Sequence, residues 1–132
     1  MKKLSSSARV GDDFTVLTVS ADRRDHESLR QMLSAERWDV LQAETCGEAL
    51  TAVKAKRPSV VTCDHNLPDG TWRDLFSLLE SIGEPPPMVV ISRQADESLW
   101  AEVLNCGGYD VLAKPLETTE VCRVLGMARR HR

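Results

Sequence analysis

Short apolar runs that alternate with amphipathic stretches constrain the fold of this chain more than any other feature. Runs rich in β-branched residues predict strands at residues 14–19, 38–43, 59–63, 88–91 and 109–113. Between and after them, apolar residues recur at i, i+3 and i+4, which predicts helices over about 24–36, from 49 to before Pro58, from 75 to near Gly83, over 99–106 and over 121–128. Five strands that alternate with five helices predict an α/β fold, a parallel sheet with right-handed crossovers.

One domain over residues 14–132 accounts for this pattern, and residues 1–13 are predicted to be a loose tail. The sequence shows no second module, so we expect a stand-alone domain. A net charge of -3 and a pI near 5.6 give no general attraction to nucleic acid or to anionic membranes. Since no apolar stretch reaches the roughly 20 residues of a membrane span and the N-terminus lacks an apolar signal segment, we predict a cytoplasmic protein with no nucleic-acid or membrane partner.

The four cysteines are widely spaced, at positions 46, 63, 106 and 122. Zinc sites use short paired spacings of cysteine and histidine, so this pattern disfavours a zinc site. We interpret all four as reduced structural thiols.

Polar side chains follow three of the predicted strands at the points where they end. Asp64 follows the third strand, Ser92 the fourth and Lys114 the fifth. Because the carboxyl ends of parallel strands meet at one rim of a sheet, we expect these side chains to lie close together. A carboxylate can attack a phosphoryl group, while hydroxyl and ammonium groups bind the phosphoryl oxygens. The sequence therefore predicts a phosphate-accepting site with Asp64 as nucleophile and Ser92 and Lys114 as its partners.

This arrangement resembles the response-regulator receiver domains of two-component signalling. The resemblance covers residues 14–129 and rests on Asp64 with the Leu-Pro-Asp-Gly segment at 67–70, on Ser92 and on Lys114-Pro115. It implies a flavodoxin-like, doubly wound five-stranded sheet of order 2-1-3-4-5 with five helices. It also implies that a sensor histidine kinase or phosphotransfer protein phosphorylates Asp64. In this family the Lys-Pro peptide bond is typically cis.

The resemblance further implies a magnesium ion and a partner surface. Asp64 and the backbone carbonyl of Asn66 would hold Mg²⁺. The fourth helix, fifth strand and fifth helix would form the surface for a downstream protein, with Trp100 and Tyr109 as candidate contacts. Partial burial is the alternative for Trp100, and a homodimer is left open.

The sequence departs from the family at the end of the first strand and at positions elsewhere, among them Trp72, where the family usually has glycine. Ser20 and Ala21 stand where the family has two acids, and alanine cannot bind the ion. Asp22, one residue further on, is a weaker candidate that would reach the metal through water. Arg93 replaces a usually small residue beside the phosphoryl position. Val111 replaces the switch aromatic of the fifth strand, while Tyr109 is expected on the same face.

Charge counting predicts a weakened metal site. In the family, three carboxylates oppose one lysine, whereas here Asp64 and Lys114 roughly cancel and Arg93 would offset Asp22. A unit pair at about 4 Å is worth about 4 kcal/mol at an effective dielectric near 20, so Lys114 can keep Asp64 ionised unaided. Mg²⁺ meanwhile loses a direct carboxylate. We expect weak Mg²⁺ binding and slow or absent phosphorylation.

Three functions compete on these residues. The first is a phosphoacceptor switch, and the second is a binding module that works without phosphorylation. The third, a phosphatase-type enzyme, is disfavoured because Asn66 stands where a second carboxylate would be needed. We expect no enzymatic activity beyond self-catalysed phosphotransfer and dephosphorylation at Asp64. His26 and His65 are interpreted as inert surface residues.

Overall fold

The computed structural model describes residues 14–131, in which one five-stranded parallel sheet forms the centre. Its strands are β1 (Thr15–Val19), β2 (Asp39–Ala43), β3 (Val60–Asp64), β4 (Met88–Ser92) and β5 (Asp110–Ala113). They pair in the order 2-1-3-4-5, all in parallel. The predicted doubly wound sheet is therefore confirmed.

Five helices connect and follow these strands: α1 (Arg23–Leu33), α2 (Cys46–Lys56), α3 (Trp72–Glu80), α4 (Glu97–Cys106) and α5 (Thr118–Ala128). The first helix ends earlier than predicted and continues as one 3-10 turn, Ser34–Glu36. The loop after β3 contains a small antiparallel hairpin, Asn66–Leu67 with Gly70–Thr71, which the sequence pattern did not predict.

Two apolar layers cover the two faces of the sheet. The helices α2, α3 and α4 cover one face, where Trp72 is buried among residues such as Val61 and Val90. The helices α1 and α5 cover the other face, where Leu29 and Leu33 pack on Val60 and neighbouring strand residues. Since β3 and β4 are buried on both faces, their continuous apolar character follows from their central position.

Several smaller predictions are settled by the same structure. The Lys114-Pro115 peptide bond is cis, as expected. All four cysteines are free thiols. Within residues 14–131, none of the helices has the length and apolar character that crossing a bilayer would require. The predicted tail at 1–13 lies outside the described residues.

Candidate functional site

The carboxyl ends of the three strands β3, β4 and β5 place the predicted site residues around one pocket. Asp64 is the last residue of β3, Ser92 is the last of β4, and Lys114 directly follows β5. The pocket has a volume of about 300 Å³, and its lining comprises Asp64, His65, Asn66, Ser92, Arg93, Gln94 and Lys114. The structure thus brings together the carboxylate, the hydroxyl and the ammonium that the sequence pattern singled out.

Lys114 is bound to two carboxylates. Its Nζ lies 3.1 Å from Asp64 Oδ1 and 2.8 Å from Asp25 Oδ2. The lysine side chain is only 11% exposed. Burial by itself would lower the pKa of Lys114, but hydrogen bonds and charge attraction from Asp25 and Asp64 outweigh burial and raise that pKa above its ordinary value. The lysine is therefore a charged group throughout the neutral range.

The hydroxyl of Ser92 is held inside the pocket. Its Oγ accepts a hydrogen bond of 3.0 Å from the backbone N–H of Gln94 and lies 3.2 Å from His65 Nδ1. His65 is half-buried, so its interpretation as an exposed loop residue is wrong. Arg93 is exposed at the pocket wall. A group that binds Ser92 must compete with the imidazole of His65 for the same hydroxyl.

The two residues that follow β1, Ser20 and Ala21, have no carboxylate. Ser20 is buried, and its Oγ donates to Asp25 Oδ2 at 2.8 Å and accepts from the backbone N–H of Asp22 at 3.0 Å. Ala21 is exposed. The strand end therefore offers a hydroxyl where the family has an acid.

Asp22 is the N-cap residue of the first helix. Its carboxylate accepts a hydrogen bond from the backbone N–H of Arg24 at 2.9 Å and forms an ion pair with the guanidinium of Arg24 at 3.2 Å. These bonds to Arg24 lower the pKa of Asp22. The charge that offsets Asp22 thus comes from Arg24, whereas Arg93 was expected. A role of Asp22 at a metal stays a prediction.

Asp25 is the site residue that the sequence analysis missed. It lies in the first turn of α1, and its position is four residues before Leu29 and eight before Leu33, both buried. On a helix this spacing places all three side chains on one face, so a carboxylate in line with the buried stripe was the available signal. With Asp25 counted, two carboxylates face one lysine, and the formal charge of the cluster is negative.

His26 is also misjudged from the sequence alone. It is 5% exposed, with Nδ1 at 2.7 Å from Thr18 Oγ1 and Nε2 at 2.8 Å from the carbonyl oxygen of Ser20. Since a carbonyl only accepts, Nε2 is the protonated nitrogen in this contact. The histidine ties α1 to the end of β1 and is a structural residue.

The two side chains named for the predicted partner surface differ in their surroundings. Trp100, on α4, is 50% exposed, and Met127, on α5, is 46% exposed. Tyr109 precedes β5 and packs with the α1 and α5 layer, its ring 5.1 Å from that of His131. Val111 packs on the opposite layer. The expectation that Tyr109 and Val111 share a face is therefore wrong, because Tyr109 lies outside the regular strand.

The loop after Asp64 is fixed to the second helix. Asp69 Oδ1 accepts from the backbone N–H of Cys46 at 2.8 Å, and Oδ2 accepts from that of Gly47 at 3.1 Å. These backbone donors, that of Cys46 foremost, lower the pKa of Asp69. The carboxylate satisfies donors at the start of α2 that the helix itself cannot.

The oxygen donors at the rim fit a magnesium ion. Mg²⁺ prefers oxygen ligands, keeps several waters, and is commonly bound through one or two protein carboxylates. The carboxylates of Asp64 and Asp25 are both bound to the same ammonium and are therefore close together. Between residues 14 and 131, no group of three or more His, Cys, Asp or Glu side chains is arranged to hold a metal. The residues thus fit a hydrated ion with few protein ligands.

Comparison with known proteins agrees with this fold and site. The family model for the response regulator receiver domain matches residues 16–125. The chain is 31% identical over 116 residues to the response regulator MprA of Mycolicibacterium vanbaalenii, covering 87% of this chain and 50% of the relative. It is 30% identical over 117 residues to the KDP operon transcriptional regulatory protein KdpE of Escherichia coli, covering 88% and 52%.

A solved structure shows the same fold. The complex of CheX and CheY with BeF3 and Mg²⁺ from Borrelia burgdorferi matches with a TM-score of 0.80 at 22% identity, covering 86% of this chain and 87% of that chain. The chain belongs to the family of response regulator receiver domains, the modules of two-component signalling. It spans about half the length of the curated relatives that it matches.

Proposed function

We propose that Asp64 accepts a phosphoryl group from a sensor histidine kinase or a phosphotransfer protein. The observation that carries this proposal is the convergence of Asp64, Ser92 and Lys114 on one pocket, with Lys114 Nζ 3.1 Å from the carboxylate. Three strands supply the three groups, and the sheet fixes their relative positions. The chain would act in two-component signalling without being an enzyme in the ordinary sense, because it would catalyse only its own modification.

The chemistry follows from the groups at the rim. A carboxylate oxygen of Asp64 attacks phosphorus, the bond from phosphorus to the donor breaks, and the donor leaves with the electron pair. The ammonium of Lys114 and the hydroxyl of Ser92 bind the oxygens of the transferred group. Water attack on the resulting acyl phosphate restores the carboxylate and releases phosphate. A magnesium ion, when bound, would supply further positive charge at the phosphoryl oxygens.

The metal is proposed to be held weakly. Asp64 and the backbone carbonyl of Asn66 would contribute to the site, and Ala21 contributes no ligand where the family has an acid. Asp22 is bound to Arg24, so it would have to exchange that pair for a metal contact. Phosphorylation at a given donor concentration is accordingly expected to need a high Mg²⁺ concentration.

A mass measurement tests the phosphoacceptor. The full chain is incubated with acetyl phosphate and Mg²⁺, and its intact mass is recorded over time. We expect the mass of one phosphoryl group to be added, and the addition to vanish in Asp64→Asn. The matched control is Asp39→Asn, which removes an exposed carboxylate at the start of the edge strand β2. Absence of the adduct with acetyl phosphate and with a panel of kinases would contradict the proposal.

A second candidate is a binding module that works without phosphorylation. The contact between Ser92 and His65 favours it, because the hydroxyl already has a partner in the protein. In this case the surface with Trp100 would bind its partner equally well in Asp64→Asn. In either case we propose a cytoplasmic domain that contacts proteins. Its acidic balance gives this domain itself no attraction to nucleic acid.

A further inference from the structure

We propose that Asp25, a residue of the first helix, supplies the second carboxylate of the cation site and replaces the acid absent from the end of β1. The inference rests on the proposed function only in taking Mg²⁺ as the ion that this rim binds. It concerns where the negative charge of the site comes from.

The position of the Asp25 carboxylate is the first argument. Its Oδ2 lies 2.8 Å from Ser20 Oγ, so the carboxylate is hydrogen-bonded to the side chain at the first of the two positions where the family has acids. Serine is shorter than aspartate, so a serine at the strand end leaves room for a carboxylate from the neighbouring helix. The Asp25 side chain is 17% exposed, so its carboxylate is largely shielded from solvent, and Asp25 lines a small cavity together with Ser20 and Asp64.

The contacts of Lys114 are the second argument. The same ammonium binds Asp25 at 2.8 Å and Asp64 at 3.1 Å, which shows that the two carboxylates face one point. Within the described part of the chain, Asp25 Oδ1 and Asp64 Oδ2 have no hydrogen-bond partner. Each carboxylate therefore keeps an oxygen that can bind a cation directly or through water.

The balance of charge is the third argument. Asp64 and Lys114 alone would cancel, and a neutral site attracts a divalent cation poorly. With Asp25 included, the three groups carry a formal charge of minus one in surroundings where Lys114 is 11% exposed. Electrostatic attraction is stronger in such partly buried surroundings than in bulk water, so Asp25 raises the affinity of the rim for a divalent cation.

Cation binding can be measured without any phosphoryl donor. The ¹⁵N-labelled full chain is titrated with MgCl₂, and the affinity is read from the amide shifts of His65 and Asn66. Asp25→Asn is expected to weaken Mg²⁺ binding by about tenfold or more, the usual effect of removing a supporting ligand. The matched control is Glu27→Gln, which removes an equal charge from an exposed side chain two residues further along the same helix; its affinity should equal that of the unaltered protein.

A double variant tests the same inference without relying on the single substitution Asp25→Asn. The double variant Ser20→Asp with Asp25→Ser keeps the number of carboxylates and hydroxyls and only exchanges the two bonded groups. We expect it to recover the affinity that Asp25→Asn loses. The dispersion of each spectrum verifies that the variant is folded.

Three results would overturn the inference: no Mg²⁺-dependent shifts in the unaltered chain, an affinity in Asp25→Asn that is unchanged or higher, or an exchange variant as weak as Asp25→Asn. An unchanged or higher affinity would mean that Asp25 only anchors Lys114. Since no phosphoryl donor is present, failure of Asp64 to become phosphorylated would leave these results intact. Phosphorylation of Asp64 with Mg²⁺ affinity unchanged in Asp25→Asn would overturn this inference alone.

Discussion

The two sides of the rim place their polar groups by different means. On the side of β3, β4 and β5, each functional group comes from a strand end or the residue after it: Asp64, Ser92 and Lys114. On the side of β1 and α1, the strand end carries Ser20 and Ala21, and the carboxylate comes from Asp25, inside the helix.

The difference shows that a helix packed beside a strand end can deliver a group that the strand lacks. Asp25 lies in the first turn of α1, on the same helix face as the buried residues Leu29 and Leu33. It is close to the positive end of the helix dipole, which favours a carboxylate. The backbone frame is common to both sides. The two sides differ in the element that carries the charged group. A charged residue at a strand end can be predicted from the order of the sequence motifs, whereas one inside a helix cannot.

The largest effect is expected at the β3, β4 and β5 side, from Lys114→Met. Without the ammonium, the negative oxygens of the transferring phosphoryl group lose the positive charge of Lys114, and the rate of adduct formation with acetyl phosphate should fall by about a hundredfold. Intact mass against time measures the rate. Lys54→Met, an exposed lysine on α2, is the control. A similar loss in both variants would contradict a specific role for Lys114.

On the β1 and α1 side, His26→Phe should reduce the free energy of unfolding by about 1–3 kcal/mol, because the carbonyl of Ser20 and the hydroxyl of Thr18 lose their buried partner. Urea unfolding followed by circular dichroism measures the change. The control variant is Glu27→Gln, at the exposed residue next to His26. Equal stability of the two variants would show that His26 does not join the helix to the strand end.

A pH-dependent effect is expected from Asp69→Ala in the loop after Asp64. The pKa of Asp69 is lowered in the folded state from 3.8, so its contribution to stability is present above that value and is lost as the pH falls through the lower, folded pKa. The variant should thus be less stable than the unaltered chain at pH 7, and the difference should shrink under strongly acidic conditions. Urea midpoints at several pH values measure it. A difference that stays constant with pH would contradict the account.

The smallest effect on stability is expected outside both sides, from Trp100→Ala on α4. Since this side chain is half exposed, the free energy of unfolding should change by no more than about 0.5 kcal/mol. If a downstream protein binds the surface around Trp100, its binding to the variant should weaken. Urea unfolding measures the effect on stability, and a pull-down of that protein measures the effect on binding. A large loss of stability would mean that Trp100 belongs to the core.

Most of the fold was predictable because its signals are local. The apolar runs at residues 60–63 and 88–91 mark buried central strands, and the polar residue that ends each run marks the rim. The contribution of Asp25 was not predictable from strand ends, since it depends on how α1 packs against β1. The contacts of His26 and the position of Tyr109 likewise depend on packing. The charged helix wrongly indicated that His26 is on the surface, and strand alternation wrongly placed Tyr109 on the face of Val111.

The central claim is that the carboxylates at this rim come from β3 and α1. The most direct test is a crystal of the full chain soaked in Mn²⁺, which replaces Mg²⁺ and is located by its anomalous scattering. The account predicts one peak at the rim, beside both Asp64 and Asp25, with the ion bound directly or through a single water. A peak beside Asp64 and Asp22 with Asp25 still bound only to Lys114 and Ser20, or no peak at saturating Mn²⁺, would contradict it.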